Sequence, residues 1–416
     1  MAGAVAGAAL SSRAVNRATV VLILLRVGYA YNWFDTGPAL PSIGATFAVG
    51  PAQLGLLVAS FLVGAGLLQV PAGLLSLRYG ARTVSLAGVA LLAAASAASA
   101  AAPTFATLVA LRLLAGAGAA LFFSPAIGLV ASLYPAGRRG LPVGTFTTAF
   151  SAGAALGIVA SAGLIPLLGW RLALLAGGAL LGALALAAPV LIPTAAGSPP
   201  ATRPPWRPLP RAFGLPAVWV IGIAFIGVEG ASFATGQFIV PYGTSVDGWS
   251  ILLAGAIGMA FVFPSTFGGP VGGWFAERHR NHRTQFAVAV VGGGAVLALL
   301  PWAGVAAAIA IGVLFSFAYG FVYAVMYVLP HFWRELPPGE VPLAIGLFNS
   351  IQLTGGAIVA SAFGAVVAVS SYDVAWWFLG ALTVATLGAL VALAPTPPAA
   401  GPRDEAAGVP ARAPGP

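Results

Sequence analysis

Twelve apolar stretches, each long enough to cross a bilayer as one helix, are spaced through this chain. They lie near 18–40, 52–75, 83–102, 104–133, 141–164, 169–192, 216–240, 250–274, 285–303, 305–332, 341–366 and 373–395. About 20 mainly apolar residues span the hydrocarbon core. Backbone groups there have no water to bond, so each stretch is predicted to be helical. A porin-like barrel needs short alternating segments, and these runs are too long and too uniform for one. Hydrophobic residues make up 60% of the chain and charged residues only 6%. Soluble domains carry roughly 25% charge, so that class is excluded. The predicted fold is an all-α membrane protein with twelve transmembrane helices.

The few charges are placed unevenly. All eighteen basic residues are Arg, and fifteen lie outside the stretches. Arg13, Arg17, Arg78, Arg82, Arg138, Arg139, Arg203, Arg207, Arg211, Arg278, Arg280, Arg283, Arg334, Arg403 and Arg412 precede the first stretch, fill every second loop, or sit in the tail. Arg171 alone falls at an intervening loop, at the very start of the sixth stretch. Positive flanks resist translocation and mark the cytoplasmic face. Both termini are therefore expected in the cytoplasm, with the chain passing repeatedly through the cell membrane. The same placement accounts for the net charge of +9 without nucleic acid as a partner. The absence of cysteine excludes disulfides, thiolate catalysis and Cys-ligated metals. Residues 1–12 lack a basic flank and the apolar run continues past Arg26, so the first helix is expected to stay uncleaved.

Two segments interrupt the rhythm. Residues 193–215 are rich in Pro and Arg and read as a cytoplasmic linker; residues 396–416 are rich in Pro and Ala and read as a disordered tail. They delimit an amino-terminal six-helix half, 1–192, and a carboxy-terminal half, 216–395. The halves repeat at a shift of about 200 residues. Tyr134 to Gly157 lies over Leu336 to Val359, with Pro135, Gly137, Gly144 and Gly153 falling on Pro337, Gly339, Gly346 and Gly355. GLLSLR from Gly73 lies over GWFAER from Gly273. Internal repeats of this kind mark secondary transporters, which hold substrate near mid-membrane between the halves.

These features resemble the major facilitator superfamily over essentially the whole chain. GLLSLRYGAR, Gly73 to Arg82, is similar to its signature loop, with Leu77 where an Asp is expected. The second copy keeps an acid, Glu277, beside Arg278 after Gly273. The resemblance implies that Gly73, Arg78, Arg82, Gly273, Glu277 and Arg278 form loops that lock one conformation through charge contacts. Arg112, Gly116 and Gly118 in the fourth stretch, and Gly169, Trp170 and Arg171 between the fifth and sixth, also look like family motifs. A narrower likeness, to the anion:cation symporter branch, rests on WFDTGPALPSI, QVPAGLL and SPAIGLVASLYPAGRRGLPVG. Thr36 and Ala119 replace that branch's charged residues.

Polar side chains are not spread evenly over the stretches. The third, sixth, ninth and twelfth are mostly Ala, Leu, Val and Gly and suit membrane lipid. The first, fourth, seventh and tenth carry Arg26, Tyr29, Asn32, Asp35, Arg112, Glu229, Thr235, Gln237, Tyr319, Tyr323 and Tyr327; the eleventh adds Asn349 and Gln352. The resemblance implies that the first, fourth, seventh and tenth helices line the cavity. A charge at a helix centre costs about 2.5–3.5 kcal/mol on insertion scales, so these groups face a partner or water. Arg26 and Tyr29 share a helix face, and pseudo-symmetry puts Glu229 opposite them. Arg112 can pair with Asp35 or Glu229, or hold substrate charge. Helix one offers two polar faces, or one face bent by a kink at Gly28. Tyr319, Tyr323 and Tyr327 form one stripe at four-residue spacing.

The expected activity is ion-coupled secondary transport, by symport, of a small organic anion or carboxylate. Glu229, and secondarily Asp35, would carry the coupling proton. Arg26, Arg112, Tyr29, Asn32, Tyr319, Tyr323, Asn349 and Gln352 would contact substrate. The bland alternative is that the charges are static ion pairs that fix helix packing. An efflux antiporter is the second functional reading, although FSAGAALG lacks the Pro that such carriers often have in helix five. A non-transporting sensor or scaffold is the third. An enzyme is excluded by the lack of Cys and Lys and of any HExxH or GxSxG string. His279, His282 and His331 form no metal-ligand constellation, so no metal or other cofactor is expected. A monomer is expected.

Overall fold

The computed structural model describes residues 11–135, 138–194, 213–278, 282–328, 335–336 and 341–393. The expected linker core (195–212) and tail (394–416) lie outside the described residues. Among the described residues the chain is helical, with no strand. Helix occurs within each of the twelve predicted stretches. Among the described residues, eight helices are long and apolar enough to cross a membrane, or nine when one bent pair is counted as a span.

Proline and glycine decide where these helices stop. Helix α1 (Ser12–Phe34) is capped by Ser11, whose hydroxyl accepts from the Ala14 N–H. It is unbroken through Gly28. The break comes at Phe34 instead, four residues before Pro38, whose ring would strike the Phe34 carbonyl. A 3₁₀ turn, Gly37–Ala39, then leads into α2 (Leu40–Phe47). Helix α3 (Pro51–Leu67) meets α4 (Gln69–Tyr79) at a 42° bend. Pro71 opposes the Leu67 carbonyl in the same way.

Helix α5 (Ala81–Ser99) and α6 (Phe105–Ser132) follow. Helix α7 (Gly140–Leu191) is 52 residues long, roughly 78 Å at 1.5 Å per residue and more than twice a bilayer core. It folds back at Gly169, where φ is 78°, a conformation that an L side chain resists. The carboxy-terminal half holds α8 (Pro216–Ser245), α9 (Ile251–Ala260), α10 (Ser265–Arg278) and α11 (His282–Ala289). A π-helical turn, Val290–Ala295, leads on to α12 (Val305–Val328), α13 (Val341–Val369) and α14 (Tyr372–Leu393).

The halves meet along two seams, α3 against α13 and α7 against α9. Small residues let the backbones approach, as Gly55 does with Gly364. Hydroxyls bridge the halves. Ser350 Oγ donates to the Gly66 carbonyl at 2.7 Å, and Ser151 Oγ meets Ser265 Oγ at 2.7 Å. The outer surface is apolar. Leu180, Leu186 and Val190 on the second arm of α7 are 60–82% exposed, which suits the lipid contact expected of the sixth stretch.

Candidate functional site

Four formal charges are buried among the described helices: Arg26, Asp35, Arg112 and Glu229. Two of them neutralise each other. Arg112 Nη1 lies 3.4 Å from Asp35 Oδ1, the one ion pair among the described residues, and Arg112 Nη2 donates to the Asn32 carbonyl at 2.9 Å. Thr36 Oγ1 donates to the same Asp35 oxygen at 3.1 Å. Asn32 is bound into the helix packing, its amide donating to the Gly28 carbonyl at 2.8 Å. Of the partners open to Arg112 in sequence, the structure therefore selects Asp35, and not Glu229.

Arg26 sits differently. Its guanidinium carbon lies 4.2 Å from the Phe123 ring centre, 4.5 Å from Tyr29, 4.8 Å from Phe150 and 5.6 Å from Phe146. Rings attract a cation by about 0.5–2 kcal/mol, most strongly where water is excluded. The side chain is 5% exposed, yet Nε and Nη1 have no hydrogen-bond partner. Buried donors are nearly always satisfied, so an open guanidinium edge stands out. Sequence reasoning found Arg26 and Tyr29 but missed the three phenylalanines. The four-residue spacing of Phe146 and Phe150 was the available signal.

The second half contributes a hydrogen-bonded row. Tyr319 donates to Glu229 Oε2 at 2.9 Å. The Tyr319, Tyr323 and Tyr327 rings meet in turn at tilted angles of 33° and 56°, with centroids 5.0 and 5.3 Å apart. Gln352 Nε2 donates to the Tyr323 hydroxyl and to Asn349 Oδ1, both at 2.6 Å, and Tyr327 donates to Asn349 Oδ1 at 3.4 Å. Gly356 leaves room for the carboxylate: a Cβ there would stand 3.2 Å from Glu229 Cγ.

The two groups share tyrosine neighbours without pairing. Tyr29 lies within electrostatic range of both Arg26 and Glu229, and Tyr323 and Tyr327 lie within range of Arg26. No ion pair joins Arg26 to Glu229. Away from the arginine-rich loops, the halves close on each other. Gln237 Nε2 donates to the Trp33 carbonyl at 2.6 Å, and a Cβ on Gly37 would stand 2.9 Å from the Gln237 carbonyl oxygen. Trp33, Phe61, Phe150 and Phe233 pack at this level.

The described arginines of the signature loops lie against rings and helix ends. Arg78 is exposed and lies 5.2 Å from the ring of its neighbour Tyr79. Arg278 lies over Trp274 at 5.4 Å. Gly73 and Gly273 have open space where a Cβ would be. Arg82 instead caps the end of α7, donating from Nη2 to the Pro189 carbonyl at 2.7 Å and from Nε to Ile192 at 3.1 Å. Arg171 does the same in reverse, donating from Nη1 to the Ala100 and Ala102 carbonyls at 2.8 and 2.9 Å, past the end of α5. Unsatisfied carbonyls and the negative end of the helix dipole both favour such a cation. The side chains of Glu277 and His282, and all of His279 and His331, lie outside the described residues.

Comparison with known proteins agrees with this architecture. Residues 22–333 match the family model of the Major Facilitator Superfamily. The probable nitrate/nitrite transporter NarK2 of Mycobacterium tuberculosis is 27% identical over 60% of this chain and 63% of its own length. The 4-hydroxybenzoate transporter PcaK of Pseudomonas aeruginosa is 34% identical over 34% of this chain and 31% of its own. The matches thus span less than two thirds of these relatives. A solved D-xylose-proton symporter superposes with a TM-score of 0.73 at 17% identity, covering 91% of this chain and 97% of that one. The chain belongs to the Major Facilitator Superfamily of membrane transporters, which are not enzymes.

Proposed function

We propose that this protein is a proton-coupled secondary carrier for a small organic anion or carboxylate. It works as a monomer by alternating access between two six-helix halves, 1–192 and 216–395, joined by the linker 193–215. It spans the cytoplasmic membrane twelve times, with both termini inside, and the one-sided Arg loops support that orientation.

The observation that carries the reading is the Arg26 guanidinium, buried among aromatic rings of the first half with two donor nitrogens unused. Its faces are covered by rings and its edge is free. A planar fork of donors matches the two oxygens of a carboxylate or nitrate. Glu229 is the group suited to the coupling proton, because among the described residues no cation pairs with it and Tyr319 orients it. The two relatives support an anion, since one is a probable nitrate/nitrite transporter and the other a 4-hydroxybenzoate transporter.

The test is uptake by purified protein in lipid vesicles with an acid-outside gradient. Labelled 4-hydroxybenzoate and nitrate are offered beside a lipophilic cation. Accumulation of an anion that disappears in Arg26→Gln supports the reading. Accumulation of the cation alone, driven by antiport, would establish efflux of lipophilic compounds instead. The ring-lined wall around Arg26 is the feature that suits that second reading.

A further inference from the structure

We infer that the cavity takes one singly charged anion together with one proton, so that transport is indifferent to membrane potential and dianions are refused. This rests on the anion-carrier reading and extends it to charge, stoichiometry and driving force.

The argument is a charge count over the buried groups. Arg112 and Asp35 pair directly and contribute nothing at any stage. Arg26 and Glu229 are left, one positive and one negative, on opposite halves and unpaired. The groups that face Glu229 are otherwise neutral. Helix α12 offers Tyr319, Tyr323 and Tyr327, and helix α1 offers Tyr29 beside Arg26. Helix α13 offers Gly356, with Asn349 and Gln352 beyond it, and helix α14 offers Thr383, bonded to the Gly227 carbonyl.

The empty cavity therefore sums to zero. Adding a monoanion at Arg26 and a proton at Glu229 returns it to zero. Adding either alone leaves one unbalanced charge in a low-dielectric enclosure, which is costly. Only the empty and the doubly loaded forms are suited to reorientation, and neither carries charge across the membrane. A dianion leaves a residual negative charge even when Glu229 is protonated, so it fails the same condition.

Labelled 4-hydroxybenzoate serves as the monoanion and terephthalate as the dianion, in vesicles holding the full chain. Protein-free and Arg26→Gln vesicles act as blanks for passive flux of the neutral acid. An acid-outside gradient is expected to drive 4-hydroxybenzoate inward above both blanks. A potassium diffusion potential of either sign is expected to change its accumulation less than about 1.5-fold. Movement of one charge across ~100 mV would instead shift the ratio roughly fifty-fold, by the constant of 2.3 kcal/mol per charge. Terephthalate is expected to stay at the blanks. In Glu229→Gln the empty cavity keeps one positive charge and fails the same condition, so net uptake under either gradient is expected to fall to the blanks. Exchange of labelled for unlabelled 4-hydroxybenzoate, which needs only the neutral loaded form, is expected to persist. Potential-driven accumulation by the native chain, or terephthalate uptake equal to that of 4-hydroxybenzoate, overturns the inference and leaves the carrier reading intact. No movement of 4-hydroxybenzoate above the blanks under either gradient overturns the carrier reading for this anion class, and the inference with it.

Discussion

The Arg112 guanidinium meets the Asp35 carboxylate 3.4 Å away, with both side chains sealed inside the first half at 2% and 0% exposure. Asp35 Oδ2 has no further partner. Removing one member of such a pair strands a charge, at a cost of about 3–5 kcal/mol, whereas exchanging both for apolar groups is close to neutral. Asp35→Leu and Arg112→Met should each lower the melting point in detergent sharply, and the double variant should recover most of the loss. The double variant should also keep proton-driven uptake, since Glu229 remains. A stable double variant that has lost that drive would assign coupling to Asp35.

The Arg82 and Arg171 caps call for a different outcome. Each arginine reaches the final carbonyls of the helix its own helix packs against, so α5 and the second arm of α7 are clasped at both ends. A hydrogen bond to a charged group contributes about 1.5–3 kcal/mol. Arg171→Ala should therefore reduce thermal stability by about that amount and leave the KM for the transported anion unchanged. Arg171→Lys should rescue only in part, because one ammonium does not reproduce the planar fork. A changed KM with unchanged melting would place Arg171 in the transport cycle instead.

Sequence legibility follows the range of the forces involved. Apolar length and Arg placement are local quantities, and helices stand in every stretch they mark. The Tyr319, Tyr323 and Tyr327 stripe is also local, since four-residue spacing on one helix brings the rings together. The partner of Arg112 was not legible. Asp35 and Glu229 are both buried acids, and only packing of α6 against α1 decides between them. Phe123, Phe146 and Phe150 read as ordinary apolar residues until three helices converge on Arg26. Arg171 looked like an exception to the charge rule and proves to be a cap, a role set by a helix end some 70 residues away.

The glycines separate packing from motif. A Cβ on Gly116 would strike the Phe61 carbonyl, and one on Gly64 would strike the Leu113 carbonyl. Helices α3 and α6 thus touch backbone to backbone. Gly116→Val should cut the yield of folded protein several-fold, as measured by monodisperse material after extraction. Gly73, although it belongs to the signature loop, has nothing within 4 Å. Gly73→Ala should leave stability unchanged or raise it by up to about 1 kcal/mol, the helical preference of Ala over Gly. A collapse in yield for Gly73→Ala would show that this position packs tightly in another conformation.

Gln237 holds the closure at the end opposite the arginine-rich loops. Its amide donates to the Trp33 carbonyl at 2.6 Å, across the halves, just before α1 breaks. The Gly37 contact with the Gln237 backbone leaves no room for a side chain beneath it. Loss of the amide leaves a buried carbonyl unsatisfied, at about 1–3 kcal/mol in the closed form only, and so shifts the population toward an open one. The chain has no native cysteine, so a single Thr235→Cys gives a background-free reporter at a site now fully buried. Gln237→Ala should raise its labelling rate by a membrane-impermeant maleimide roughly five-fold or more, applied from the face away from the arginine loops. Labelling unchanged by Gln237→Ala, or raised only from the opposite face, would mean that this contact does not hold the gate.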